Sequence, residues 1–158
     1  MHATSPSSSG TLSLVIDANL AVWTVLPILA RLSVVNQVTA WQAAGVQLCA
    51  PTLWAAEAVS GVRRAVYARL ITIESGIQAI DDLFALEVEM LPMEMDRCRS
   101  ALQWAGRLNQ SRAYDGFYMA LAEELGAEFW TADQRLARAA QQAGVTWTHW
   151  IGEAVNGS

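Results

Sequence analysis

Two rhythms of apolar residues alternate along this chain. Short runs at 12–16, 46–50, 87–91, 127–130 and 145–148 have the length and the β-branched or aromatic character of strands. The longer stretches between them repeat apolar positions at the helical spacing of about 3.6 residues. The pattern is clearest in the last third of the chain. Phe117, Leu121 and Leu125, widened by Tyr118 and Ala122, form the apolar stripe of a helix that opens at Asp115. Gly126 stands where a left-handed C-cap belongs, and 127–130 supplies a short strand. Thr131-Ala132-Asp133 then makes the turn into a helix carrying Leu136, Ala140 and Ala143. A helix followed by a parallel strand returns the chain to the sheet edge where the helix began, so Asp115 and Asp133 are expected at one end of one sheet.

Further helices are predicted over 19–31, bent or broken at Pro27, over 34–44, stopped by Gly45, and over 52–70, opened by Pro51. Others are predicted over 74–86, over 94–108 and over 134–143, with a polar loop at 109–113. Strands alternate with helices throughout and no hairpin signal interrupts them, which defines an α/β chain with a parallel sheet. At 158 residues it has the size of one domain, placed at 11–151, with a flexible Ser-rich leader at 1–10 and a flexible tail at 152–158.

Composition narrows the classes. A 53% hydrophobic content is ample for a core. Seven Trp and long apolar helices in so small a domain suggest surplus apolar surface, so a homodimer is expected. The net charge of −5 offers no basic footprint for a nucleic-acid duplex, though a nuclease whose acids are neutralised by bound cations remains open. Cys49 and Cys98 lie in apolar or helical surroundings and read as free thiols of a reducing compartment. The leader has no basic segment of a signal peptide, and the uncharged stretch at 20–30 is too short to span a bilayer and is interrupted by Pro27. A cytoplasmic protein without a membrane anchor is the expectation.

Four acids stand at element ends or in apolar settings: Asp17, Glu57, Asp115 and Asp133. Asp17 and Asp133 follow predicted strands, whereas Glu57 and Asp115 lie near the starts of predicted helices, and ligand sites of open parallel sheets form outside the carboxyl ends of the strands. Structural roles are available to some of them. Asp17 would cap the helix after it, and Glu57 would complement a helix dipole. Four unpaired carboxylates in one place would repel one another and take up protons. A divalent cation removes that conflict. Hard oxygen donors suit Mg²⁺ or Mn²⁺, and no His/Cys set at zinc spacing occurs. Such an ion can polarise a phosphoryl oxygen and acidify bound water, which makes phosphodiester hydrolysis possible at neutral pH. Arg63, Arg64 and Arg69 form either a solvated helix face or a contact to an RNA backbone or a partner.

Several blocks together carry a resemblance: Leu14-Val15-Ile16-Asp17-Ala18-Asn19, Pro51-Thr52-Leu53-Trp54-Ala55-Ala56-Glu57, Tyr114-Asp115 with Ala120-Leu121-Ala122-Glu123, and Thr131-Ala132-Asp133-Gln134-Arg135-Leu136. In order and spacing they resemble a PIN domain, nearest to the VapC-like ribonuclease toxins of type II toxin–antitoxin modules, over about 12–147. The resemblance implies a parallel sheet flanked by helices and a Mg²⁺-dependent ribonuclease acting on RNA. It implies metal-binding and catalytic roles for Asp17, Glu57, Asp115 and Asp133, a helper hydroxyl at Thr131 and a supporting role for Asn19 beside Asp17. It also implies dimers held inactive by a cognate antitoxin. One departure is plain: where a small hydroxyl residue commonly follows the first Asp, this chain has Ala18-Asn19.

Other chemistries fit less well. His2 lies in the leader and His149 near the tail, which leaves no His-based triad, and no glycine-rich phosphate loop is present. A phosphoaspartyl mechanism at Asp17 would want a second Asp at position 19, which is Asn. A non-catalytic PIN-like interaction module and a metal-dependent phosphatase-like hydrolase are the alternatives to a ribonuclease.

Overall fold

The computed structural model describes residues 10–29 and 32–153. Most of the expected leader and tail, together with Ala30 and Arg31, lies outside the described residues. The elements run β1 (Ser13–Ile16), α1 (Ala18–Val25), α2 (Leu32–Ala43), β2 (Gln47–Pro51), α3 (Leu53–Tyr67), α4 (Ile73–Ala85), β3 (Glu89–Leu91), α5 (Met95–Arg107), α6 (Tyr114–Leu125), β4 (Glu128–Thr131), α7 (Gln134–Gln142) and β5 (Thr148–Trp150). The alternation read from the sequence is therefore present.

All strand pairs are parallel, in the order β3-β2-β1-β4-β5. The chain builds outward from β1 through β2 to β3, then crosses back to add β4 and β5 on the other side of β1. The order thus reverses between β1 and β4, the point where open parallel sheets form their crevice. Val15 faces Phe129 and Ile16 faces Trp130 across that pair, and the Asp17 amide donates to the Trp130 carbonyl at 3.2 Å. The last residues of β1 and β4 consequently reach the carboxyl edge side by side. Val15, Ile16, Leu20, Ala21, Leu121, Ala122, Phe129 and Ile151 are fully buried, so this junction sits over the core.

α6 explains its own position. Of the expected stripe Tyr118, Leu121 and Ala122 are buried, as is Met119, whereas Phe117 is half-buried and Leu125, in the last turn, is exposed; Gly126 closes the helix in the left-handed region at φ +60°. α5 packs beside it: Arg97 pairs with Glu124, and Trp104 Nε1 donates to Glu123 at 2.9 Å. At Gly116 a side chain would run into the Ala101 carbonyl, so this glycine permits the close approach of the two helices.

Three boundaries differ from expectation. The helix predicted through Pro27 ends at Val25, because Leu26 precedes a proline and is held extended at φ −90°, ψ 109°. Pro51 closes β2 instead of opening α3. Its missing N–H falls beyond the β1 pairing, and Thr52 N–H donates to Leu91 at 3.0 Å in its stead. The final strand begins at Thr148, not Val145, since Val145 N–H bonds Ala140 to close α7 while its side chain is buried. None of the seven Trp is exposed; Trp54 and Trp104 are buried and the others partly so. The aromatic surplus is spent on packing, as in the Trp104–Trp147 edge contact at 5.6 Å. Among the described residues no helix is long and apolar enough to cross a membrane. Cys49 and Cys98 are free thiols.

Candidate active site

At the carboxyl edge, Asp17 leaves β1 and caps α1, its Oδ1 accepting from Leu20 N–H at 2.8 Å. The side chain is nonetheless a poor place for a charge. It is 7% exposed, and burial pushes its pKa up to about 7, against the opposing effect of hydrogen bonds from Thr131, Leu20 and Ala132. Asp115 adds like-charge repulsion in the same direction. Capping and a place in the cleft are therefore both properties of this residue.

Glu57 stands on α3 beyond its first turn, where a dipole effect would have faded. Tyr118 reaches across from α6 and donates its hydroxyl to Glu57 Oε1 at 2.8 Å. Burial raises the Glu57 pKa, Tyr118 lowers it, Asp115 raises it and Arg64 lowers it. Asp115 lies in the first turn of α6, which has no side-chain cap, and its Oδ2 accepts from Gln110 Nε2 at 2.8 Å. Its pKa is raised by burial and by Asp133, with Gln110 acting against them. The Tyr118 hydroxyl itself is held well above its ordinary pKa by burial and then by Glu57 and Asp17, so it stays a donor.

Asp17, Glu57 and Asp115 line one cleft of about 490 Å³, together with Asn19, Ser60, Arg64, Arg112, Tyr114 and Tyr118. Asp133 lines the adjoining hollow with Asn19, Trp23 and Arg135. It caps α7 through Arg135 N–H at 2.9 Å and Leu136 N–H at 3.3 Å. Thr131, fully buried, joins the two sides: its hydroxyl donates to Asp17 and accepts from Asp133 N–H at 2.9 Å. Asn19 has another partner than the one expected. Its Oδ1 accepts from Arg64 Nη2 at 3.4 Å, and among the described residues no hydrogen bond joins it to Asp17.

The donor chemistry suits a hard divalent cation. Three carboxylates with raised pKa values share a cleft, none is within ion-pair distance of an Arg or His among the described residues, and no hydrogen bond reaches Glu57 Oε2 or Asp115 Oδ1. As the side chains are placed, no three His, Cys, Asp or Glu among the described residues stand close enough to hold one ion together. Water would have to complete such a coordination shell.

A model of the PIN domain family matches residues 14–142. The chain belongs to the PIN domain family. Nucleases of this family generally depend on divalent metal ions, which agrees with the donor set. This PIN domain is 30% identical to Ribonuclease VapC12 of Mycobacterium tuberculosis over 126 residues, 79% of this chain and 90% of that protein. Its fold is similar to VapBC2 of Rickettsia felis, solved bound to a DNA fragment from the promoter, with a TM-score of 0.63 at 14% identity, covering 88% of this chain and 98% of that one. FitAcB of Neisseria gonorrhoeae gives a TM-score of 0.58 at 21% identity over 86% and 96% of the two chains.

Sequence reasoning did not single out Tyr118, Gln110, Ser60 and Arg112, and placed Arg64 on an undivided basic face. Spacing held part of the signal. Tyr118 is three residues beyond Asp115 on one helix face, and Ser60 and Arg64 are three and seven beyond Glu57 on another. Gln110 and Arg112 come from the loop before α6, where no periodicity guides the eye.

Proposed function

We propose that this PIN-domain protein is a divalent-metal-dependent endoribonuclease, the toxin of a toxin–antitoxin pair, with Asp17, Glu57, Asp115 and Asp133 as its catalytic acids. One observation carries the reading: carboxylates from three separate segments line one cleft with raised pKa values and, among the described residues, no cation within ion-pair distance. The similarity to a ribonuclease over 90% of that protein's length supports RNA as substrate.

The residues divide the work. Asp17 and Asp115 would be the direct holders of a Mg²⁺ or Mn²⁺ ion, and Glu57 and Asp133 would reach it directly or through water. The chemistry such an ion would supply there is polarisation of a phosphoryl oxygen and a lowered pKa for an attacking water. Thr131 fixes the Asp17 carboxylate by donating to it, Gln110 fixes Asp115, and Tyr118 fixes Glu57. Each of these bonds keeps its acid from swinging away to relieve repulsion. The Asp133 backbone N–H is tied to the same Thr131 hydroxyl, while its carboxylate caps α7.

The partners follow from the surface. A cluster of unpaired acids attracts any cation, so a cognate antitoxin is expected to set a basic side chain against the cleft. The exposed apolar residues Tyr67, Leu70, Ile73, Ile77 and Phe84 on and around α4 favour a covered face, in keeping with a homodimer. The deciding experiment incubates the purified protein with mixed-sequence single-stranded RNA in Mg²⁺, in Mn²⁺ and in EDTA, beside a small phosphomonoester. Metal-dependent internal cleavage of the RNA is expected. Hydrolysis of the phosphomonoester alone would return the phosphatase reading, and inactivity on both would favour the interaction module.

A further inference from the structure

We propose that Arg64 and Arg112 form a two-pronged cradle for the RNA backbone, gripping its phosphates in the cleft that holds the acids. The proposal rests on the ribonuclease reading and names how that same site holds its substrate. Its basis is a conflict in the cleft. Arg64 and Arg112 line it with Asp17, Glu57 and Asp115, yet no carboxylate among the described residues lies within ion-pair distance of either guanidinium. Arg97 and Arg99 pair with Glu124 and Asp96, whereas Arg63, Arg69, Arg107, Arg135 and Arg138 make no ion pair among the described residues either, so what sets Arg64 and Arg112 apart is their place in the cleft. In the cleft the two signs stand beyond ion-pair distance, Arg64 acting on Glu57 only as a nearby charge, and both guanidinium groups are on exposed residues. Acids left open suit a cation, and a planar guanidinium left open suits a phosphate, with which it forms two parallel hydrogen bonds.

Arg64 is also aimed. Among three arginines that the sequence places on or beside one helix, Arg63 stacks over Tyr67 at 5.6 Å, whereas Arg64 donates to Asn19 Oδ1 at 3.4 Å beside Asp17. It lines the neighbouring hollow with Asn19 and Trp23 as well. Arg112 comes from the loop before α6 and stands three residues ahead of Asp115. Two of the ten arginines, from separate segments, thus stand in the acid-lined cleft of a protein of net charge −5.

The test measures kcat/KM for a short, fluorescently labelled single-stranded RNA of mixed sequence, with Mg²⁺, between about 50 and 200 mM salt. Arg64→Gln and Arg112→Gln are compared with wild type, with Arg63→Gln as a control outside the cleft and with melting temperature as a check of folding. Each cleft variant should lose about tenfold in kcat/KM, mainly through KM. Each should also flatten the slope of log kcat/KM against log salt by about 0.7, the share of one phosphate contact on a single strand. Lys at either position should restore the slope and part of the affinity; Arg63→Gln should change neither. Variants that cleave with wild-type KM and slope overturn the cradle while leaving the ribonuclease standing. A shift of the pH profile without a change of slope overturns it too, since it would mean that the arginines serve only to offset the acids. A wild-type protein that cleaves no RNA overturns both.

Discussion

Thr131 gives its hydroxyl hydrogen to Asp17 across 114 residues of chain, the bond that ties the end of β4 to the end of β1. Because the same oxygen accepts from Asp133 N–H at 2.9 Å, one buried side chain sets the relation between two of the four acids. Removing the hydroxyl with Thr131→Val should leave Asp17 less hydrogen-bonded and its pKa higher still. The expected result is a loss of about 1–3 kcal/mol in denaturant-measured stability and a clear fall in RNA cleavage at fixed metal concentration.

Asp17→Asn separates capping from catalysis. Asn caps a helix about as well as Asp. Its amide oxygen can keep the bonds from Leu20 and Ala132, and its NH₂ can donate to Thr131. Fold and melting temperature should survive, with a gain in stability at pH 7 in EDTA, while Mg²⁺-dependent cleavage drops to background. Full metal-dependent cleavage by this variant would end the metal role of Asp17.

Burial raises the Asp17 pKa from 3.8 to about 7, so between those values the folded protein holds more protons than the unfolded chain. Stability in EDTA should therefore be highest near pH 4, fall as pH rises toward 7, and level off above it. The other raised carboxylates, Glu57 and Asp115, act in the same direction. A divalent cation added at pH 7 to 8 should raise the melting temperature, and Asp17→Asn should flatten the EDTA profile. A metal-free melting temperature that climbs from pH 4 to 7 would contradict this assignment of burdened acids.

Tyr118→Phe keeps the stacked contact with Phe129 at 5.6 Å and removes only the donor to Glu57. The expectation is a change of about 1 kcal/mol in stability. Activity should fall roughly tenfold through a misaligned Glu57, an amount equal to about 1.4 kcal/mol of barrier. Steady-state cleavage assays beside thermal melts would show whether activity falls further than stability.

Gly116→Ala is expected to fail structurally, since its Cβ would overlap the Ala101 carbonyl of α5. Backbone on both sides leaves no flexible side chain to yield. The cost should be about 1–3 kcal/mol in denaturant unfolding, with cleavage impaired because Asp115 is the preceding residue.

The chain's own pattern determined the elements and their alternation. Apolar rhythm located the strands and helices to within about three residues at each end, save the first helix, which stops at Val25 and not at 31, and Gly126, which takes up φ +60°, marked the turn that returns α6 to β4. Acids at element ends in apolar surroundings were visible for the same reason: a lone charge among apolar neighbours stands out in one dimension. Local steric terms shifted the boundaries, as the hold of Pro27 on Leu26 did, and they are decided by backbone geometry that hydrophobic spacing does not report. What only the tertiary structure decided is which groups meet. The reversal of strand order beside β1 brings Thr131 onto Asp17, and the packing of α6 on the sheet brings Tyr118 onto Glu57, 61 residues apart. It also turned Arg64 toward Asn19 while Arg63, its neighbour, stacked on Tyr67. Pairings of this kind depend on the sum of many burial contributions across the sheet, which no short stretch of sequence contains.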